Sequence, residues 1–187
     1  MSNTVTSLLA AFSLTANAAV VNTETELPYY FMPADQKQVK CLADNIYFEA
    51  KNQGTAGWIA VASVTMNRVK DKRFPNSVCG VVKQGPTRES WKTKGKDVPE
   101  DKRIYYPIRH KCQFSWYCDG KSDEIRNHNI HDKIYKLAEL VISDTIVIID
   151  ITDGATHYHA DYVRPAWRKT KTKTVEIGDH IFYKWEK

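Results

Sequence analysis

The chain has 187 residues, 42% of them hydrophobic and 26% charged, which is the composition of an ordinary globular protein able to bury a core without depending on disulfides or metal. Its formal net charge of +5 and pI near 8.9 favour polyanionic partners such as nucleic acid, anionic lipid or an acidic wall polymer. No nucleic-acid-reading module is recognisable, and no stretch reaches the ~18 apolar residues of a membrane span, so neither class is expected.

Read from the start, the first nineteen residues carry no charge. Leu8 to Leu14 are a short apolar run and Ala16-Asn17-Ala18 is a small-x-small cleavage pattern, so residues 1–18 are predicted to be a secretory leader, although Met1-Ser2-Asn3-Thr4 lacks the usual basic residue. Residues 19–34 are expected to be an extended or poorly ordered entry segment, and 35–187 one compact domain. From Asp35, a predicted N-cap, apolar residues recur at Val39, Leu42, Ala43, Ile46, Tyr47 and Ala50 with the spacing of a helix that buries one face. A Lys51-Asn52-Gln53-Gly54 turn leads to a second, more deeply buried helix through Trp58, Ala62, Met66 and Val69, whose small residues let other elements approach closely.

A loop over 71–75 precedes a short helix at 77–84. Residues 85–110 mix Gly85, Pro86, Gly95, Pro99 and Pro107 with many charges, which predicts a long loop holding at most a small hairpin. Ile130, Ile134, Leu137, Ala138, Val141 and Ile142 mark a fourth helix. Thr156 to His159 and Val175 to Trp185 alternate like short strands, with Gly178 as their turn. The expected fold class is α+β, mainly helical, with short strands near the C-terminus.

Cys41, Cys79, Cys112 and Cys118 are an even set suited to two bridges in an exported protein. Three pairings are possible; Cys112 and Cys118 are close enough to close a small loop, which leaves Cys41 with Cys79. No C-x-x-C occurs, and the spacings fit no common zinc site.

Glu49 is the residue that carries chemistry. Tyr47, Phe48 and Ala50 hold it between water and apolar surface at a helix end, where desolvation raises a carboxyl pKa and suits it to general acid catalysis. Asn45-Ile46-Tyr47-Phe48-Glu49-Ala50, the segment Gly57 to Val69, Phe74-Pro75-Asn76-Ser77-Val78-Cys79-Gly80-Val81-Val82, Cys112-Gln113-Phe114-Ser115-Trp116, Cys118-Asp119-Gly120, Gly154-Ala155-Thr156-His157-Tyr158 and Ile177 to Tyr183 occur in this order. Together they resemble the cell-wall hydrolase family of the spore-cortex-lytic enzymes, the SleB/CwlJ type, over roughly residues 40 to 184.

That resemblance implies a lysozyme-like domain that degrades peptidoglycan, with Glu49 as the catalytic acid. It also implies a lytic transglycosylase, which cuts between N-acetylmuramic acid and N-acetylglucosamine and leaves a 1,6-anhydro end. Where many members have Ala-Arg-Gly-Glu, this chain has Ala50-Lys51-Asn52-Gln53, so any role of that second glutamate is absent here.

Ordinary glycoside hydrolysis uses two carboxylates, whereas a transglycosylase manages with one because the sugar's own 6-hydroxyl attacks. Asp119, Asp123, Asp153 and Asp161 are the possible second carboxylates, with Asp119 and Asp153 beside glycines and suited to turns. The substrate-binding set is Tyr47, Gln113, Phe114, Ser115, Trp116 and Tyr158, acting as hydrogen-bonding groups, sugar platforms or walls. No cofactor or metal is called for. The expected partner is a peptidoglycan glycan strand, met by a monomer in the periplasm or cell envelope, or in a phage endolysin during lysis. Two alternatives stand beside this reading. One is a metal-dependent amidase using His157 and His159 with His180, Glu49 or Asp161, and the other is a wall-binding module without activity.

Overall fold

A computed structural model describes residues 34–144 and 149–185. The expected leader and nearly all of the entry segment lie outside the described residues.

Helix α1 spans Gln36–Ala50. It begins where sequence places its cap, because Asp35 Oδ1 accepts the backbone N–H groups of Lys37 at 2.9 Å and Gln38 at 3.3 Å. After a three-residue turn, α2 spans Gly54–Lys70 and is buried on several faces. Trp58, Val61 and Ala62 pack with α1, whereas Ala60 and Val64 pack with Ala155 and Phe182 beneath the C-terminal sheet. The small side chains of α2 thus let one helix serve two cores.

Helix α3 is Val78–Val82, shorter than the predicted 77–84, because Ser77 is its cap and Oγ accepts from Gly80 N at 3.2 Å. Two strands, β1 at Thr87–Glu89 and β2 at Tyr105–Pro107, pair antiparallel in the region read as a long loop. Helix α4, His128–Ile142, is capped by the Asn127 side chain and lays Ile134, Ala138 and Val141 against α1. The Tyr47 hydroxyl accepts Asn127 N–H at 3.0 Å and fixes where α4 starts. Among the described residues no helix is long and apolar enough to cross a membrane.

Strands β3 at His157–Ala160, β4 at Thr172–Ile177 and β5 at His180–Lys184 form an antiparallel sheet in the order β3-β5-β4. Strand β4 starts before the expected Val175 because an irregularity in register between Lys173 and Glu176 breaks the alternation that sequence reading relies on.

Gln53 has a role that the sequence reading did not assign. Its Nε2 donates to Asp179 Oδ2 at 2.7 Å and its Oε1 accepts Asp179 N–H at 3.0 Å, tying the β4–β5 turn to the α1–α2 turn. A methyl group on Gly178, at φ +56°, would fall 2.2 Å from Gln53 Oε1, so that position requires glycine. Only an amide supplies both a donor and an acceptor here. Gln53→Glu sets two carboxylates against each other and is expected to lose about 1 kcal/mol of stability at pH 7. The loss should shrink as pH falls and one of the pair takes a proton, which thermal unfolding at pH 7 and pH 4 would show.

Both disulfides join the expected partners, Cys41 with Cys79 and Cys112 with Cys118. The first ties α1 to α3 across a sequence separation of 38, and closing a loop of that size contributes about 4 kcal/mol in the chain-entropy picture. Unreduced protein should titrate no free thiol. Reductant should lower the melting temperature by roughly 10 °C or more in calorimetry.

Candidate active site

The last turn of α1 carries Glu49 into a cleft of about 550 Å³. Its walls come from α2 through Arg68, from β3 and β5 through Tyr158 and His180, and from the disulfide-closed segment through Gln113, Phe114, Ser115 and Trp116. The apolar stripe of α1 faces the core with Ile46 and Ala50, and Glu49 stands at its edge, partly open to the cleft.

Tyr158 projects from the face of β3 turned toward α1, and its hydroxyl donates to Glu49 Oε2 at 2.9 Å. Burial pushes the Glu49 carboxyl above its ordinary pKa, opposed by that hydrogen bond and by the charge of Arg68. The Tyr158 phenol is pushed well above its usual value by burial and by the carboxylate beside it, so it remains a donor.

Arg68 is the main residue that sequence reasoning missed. It is buried, and its Nε donates to Thr156 O at 2.7 Å while the guanidinium lies between the rings of Phe74 at 5.3 Å and Phe114 at 4.9 Å. Its Nη1 has no hydrogen-bond partner among the described residues. Burial lowers the Arg68 pKa, and the neighbouring Tyr158 and Glu49 favour its charged form. The available signal was a lone arginine near the end of an otherwise apolar helix. His180 was considered only as a metal ligand. It is buried edge-on to Tyr158 with ring centroids 4.9 Å apart, its Nδ1 lacks a partner among the described residues, and burial lowers its pKa.

Trp116 stacks on Phe48 with ring centroids 4.6 Å apart, and its indole N–H donates to the buried Asn45 Oδ1 at 3.0 Å. Asn45 in turn donates to Thr65 Oγ1 at 3.2 Å, so the wall beside Glu49 is fixed to both long helices. Phe114 is buried under Arg68 and forms a wall, not an open sugar platform. Gln113 and Ser115 are exposed on the rim. Tyr47 corrects the expectation of substrate contact. Only 1% exposed, it is absorbed in packing Phe48 and His131 and in holding Asn127.

Of the four aspartates, Asp119 and Asp123 line the cleft. Asp119 caps its own turn by accepting Lys121 N–H at 2.8 Å, whereas Asp123 has its carboxyl pKa raised by desolvation and by Asp119 and Asp44. Asp153 is a turn residue at φ +54° whose carboxylate meets Lys184 Nζ at 2.7 Å in a different cavity. Asp161 is exposed.

His157 and His159 share a face of β3, as alternation requires, but that face lies against Trp167, with centroids 5.4 and 5.6 Å away. His159 is within hydrogen-bond distance of Tyr183 Oη through Nε2 and of Ala160 O through Nδ1, while His157 Nδ1 meets Thr156 Oγ1 at 3.0 Å. Among the described residues no three His, Cys, Asp or Glu side chains are grouped to hold a metal ion. Burial and the charges of Arg68, Lys171 and Arg73 lower the His157 pKa to about 3, so it stays neutral in an aromatic cluster.

Glu49 thus stands in a cleft walled by a second helix and a small antiparallel sheet, within a mainly helical, lysozyme-like domain, and the chain belongs to the Cell Wall Hydrolase family, whose model matches residues 52–183. The chain is similar to the spore cortex-lytic enzyme of Bacillus subtilis strain 168, at 41% identity over 145 residues covering 77% of this chain and 36% of that protein. It is also similar to the spore cortex-lytic enzyme of Bacillus cereus, at 27% identity over 150 residues covering 80% of this chain and 45% of that protein. The chain therefore spans less than half the length of these relatives.

Among solved structures, the catalytic domain of the Bacillus cereus SleB protein superposes with a TM-score of 0.52 at 26% identity, covering 81% of this chain and 92% of that domain. The catalytic domain of the germination-specific lytic transglycosylase SleB from Bacillus anthracis gives the same score and identity, covering 80% and 95%.

Proposed function

We propose that the protein cleaves the bond between N-acetylmuramic acid and N-acetylglucosamine in peptidoglycan as a lytic transglycosylase, with Glu49 as both acid and base. The observation that carries this reading is the Tyr158 hydroxyl 2.9 Å from Glu49 Oε2 in a cleft that raises the carboxyl pKa. Protonated Glu49 gives its proton to the bridging oxygen, and the C1–O bond breaks as the leaving sugar departs with that proton. The muramic 6-hydroxyl then bonds to C1 and releases its proton to the Glu49 carboxylate, so the enzyme ends as it began. Tyr158 and Arg68 stabilise the carboxylate between the two steps, which requires no second protein carboxylate.

Membership of the family and likeness to a domain described as a lytic transglycosylase support this reading. Action on the wall implies export or release to the cell envelope, and the basic surface suits an acidic polymer. Asp123, a second carboxyl group lining the same cleft, favours a second reading, hydrolysis with a water nucleophile.

Mass spectrometry of digested, purified peptidoglycan separates the outcomes. Anhydromuramic ends are expected; reducing ends would assign hydrolysis instead, and free stem peptides an amidase.

A further inference from the structure

The β1–β2 arm, away from Glu49, presents a second groove. Between Gly85 and Lys111 the chain carries eight Lys or Arg against four Asp or Glu, which is most of the formal net charge of +5. A cavity of about 540 Å³ there is lined by Arg88, Trp91, Lys92, Lys94 and Tyr106, together with Glu89 and Ser90. Arg88 and Tyr106 are directly paired across the hairpin and so share a face.

Trp91 is 78% exposed and Tyr106 50%. The exposure of Trp91 is built in, because the turn that carries it is held on both sides. Ser90 and Thr93 are buried, Ser90 N donates to Ile104 O at 2.7 Å, Lys94 N to Ser90 O at 2.9 Å, and Ile104 N to Thr93 Oγ1 at 3.3 Å. A fixed turn that holds an indole in water forgoes its burial, which calls for a ligand with an apolar face.

Of the four acidic groups of the arm, Glu89, which lines the groove, and Glu100 are matched from within. Arg103 pairs with Glu89 at 2.6 Å and with Glu100 at 3.2 Å, and Tyr105 donates to Glu100 at 2.9 Å. Among the described residues Arg88, Lys92 and Lys94 have no ion pair, so the groove keeps their positive charge.

We propose that this groove is a second binding site for the peptidoglycan strand, with sugar faces on Trp91 and Tyr106 and stem-peptide carboxylates on Arg88, Lys92 and Lys94. Pyranose rings present the apolar face that exposed aromatics stack against, and the peptide carboxylates complement the cations. An uncharged glycan leaves those cations unused, and a plain polyanion leaves the rings unused. The inference rests on the wall polymer being the substrate, and it adds retention on the insoluble wall to cleavage in the Glu49 cleft.

The test measures sedimentation of the full chain with purified wall sacculi stripped of teichoic acid, and separately the cleavage of short soluble glycan fragments. Trp91→Ala combined with Lys92→Glu and Lys94→Glu should weaken sacculus binding about tenfold or more, while fragment cleavage changes less than about twofold. Trp91→Ala alone, at an exposed position, guards against misfolding and should still weaken binding severalfold. Added salt should weaken wild-type binding more than that of the charge-reversed variant.

Unchanged sacculus affinity would overturn the proposal, as would equal losses on sacculi and fragments. Binding that needs teichoic acid, or a variant defect seen only on anionic lipid vesicles, would assign the groove to another polyanion and overturn it as well. If wild-type protein cleaves no glycan, the cleavage reading fails while the binding measurement still reports on the groove.

Discussion

Glu49→Gln should abolish glycan cleavage, lowering the rate on purified peptidoglycan by roughly 10³- to 10⁴-fold, because in the proposed mechanism one group serves as the acid of the first step and the base of the second. The amide is isosteric and its oxygen can still accept the Tyr158 hydroxyl now held at 2.9 Å, so the fold and the affinity for the polymer should persist. Thermal unfolding and sacculus sedimentation check those two properties beside the rate. A folded variant that still lyses would remove Glu49 from the chemistry. A variant that loses fold and activity together would make the residue structural.

Arg68→Met is expected to produce the second-largest effect. The titratable groups that line the cleft with Glu49 are Arg68 from α2, Tyr158 from β3, Tyr162 just after it, His180 from β5, and Asp119, Lys121 and Asp123 from the segment after the small disulfide ring, while the His159 ring is turned to the other face of β3 against Trp167. Arg68 is the cation identified as stabilising the Glu49 carboxylate, so removing it leaves desolvation opposed only by Tyr158. The carboxyl pKa then rises further.

The direction on activity follows from the form each step needs. Cleavage falls as pH rises through the Glu49 pKa, because the acid form is lost, so a higher pKa moves the alkaline limb of the pH–rate profile upward. The carboxylate intermediate simultaneously becomes harder to form, and the maximal rate should fall by roughly 10²-fold, the scale expected when a group stabilising developing charge is removed. Arg68 also holds Thr156 O at 2.7 Å and the rings of Phe74 and Phe114, so some stability is lost with it. The pH profile separates the two effects, since a purely structural role lowers the melting temperature and leaves the alkaline limb in place. Arg68→Lys, which keeps the charge, should restore much of that limb.

The long helices were legible because each has one strong signal, namely Asp35 before a three-four stripe for α1 and a run of small and apolar residues for α2. Glu49 was legible for the same reason, as a carboxylate at the edge of a buried stripe. What sequence concealed was pairing at a distance. Gln53 looks like a turn residue until Asp179 is seen beside it, 126 positions away. Arg68 looks like a basic last-turn residue until Thr156, Phe114 and Glu49 close around it. Tyr47 was misread because side chains on a helix turn about 100° per residue, so an aromatic two positions before Glu49 points away from the cleft, here into the core. The 85–110 region was read as a long loop with room for a small hairpin, which β1 and β2 form, but its strands could not be placed because Gly and Pro punctuate it and they span only three residues each, too few for alternation to register.

A titration followed by carbon NMR of labelled glutamate side chains, with Glu49 assigned by comparison with Glu49→Gln, asks directly whether the proton is held where catalysis needs it. A Glu49 midpoint above the ordinary glutamate value, rising further in Arg68→Met, is the expected result. A midpoint at or below that value, unmoved by loss of Arg68, would contradict the assignment of Glu49 as the acid that protonates the bridging oxygen.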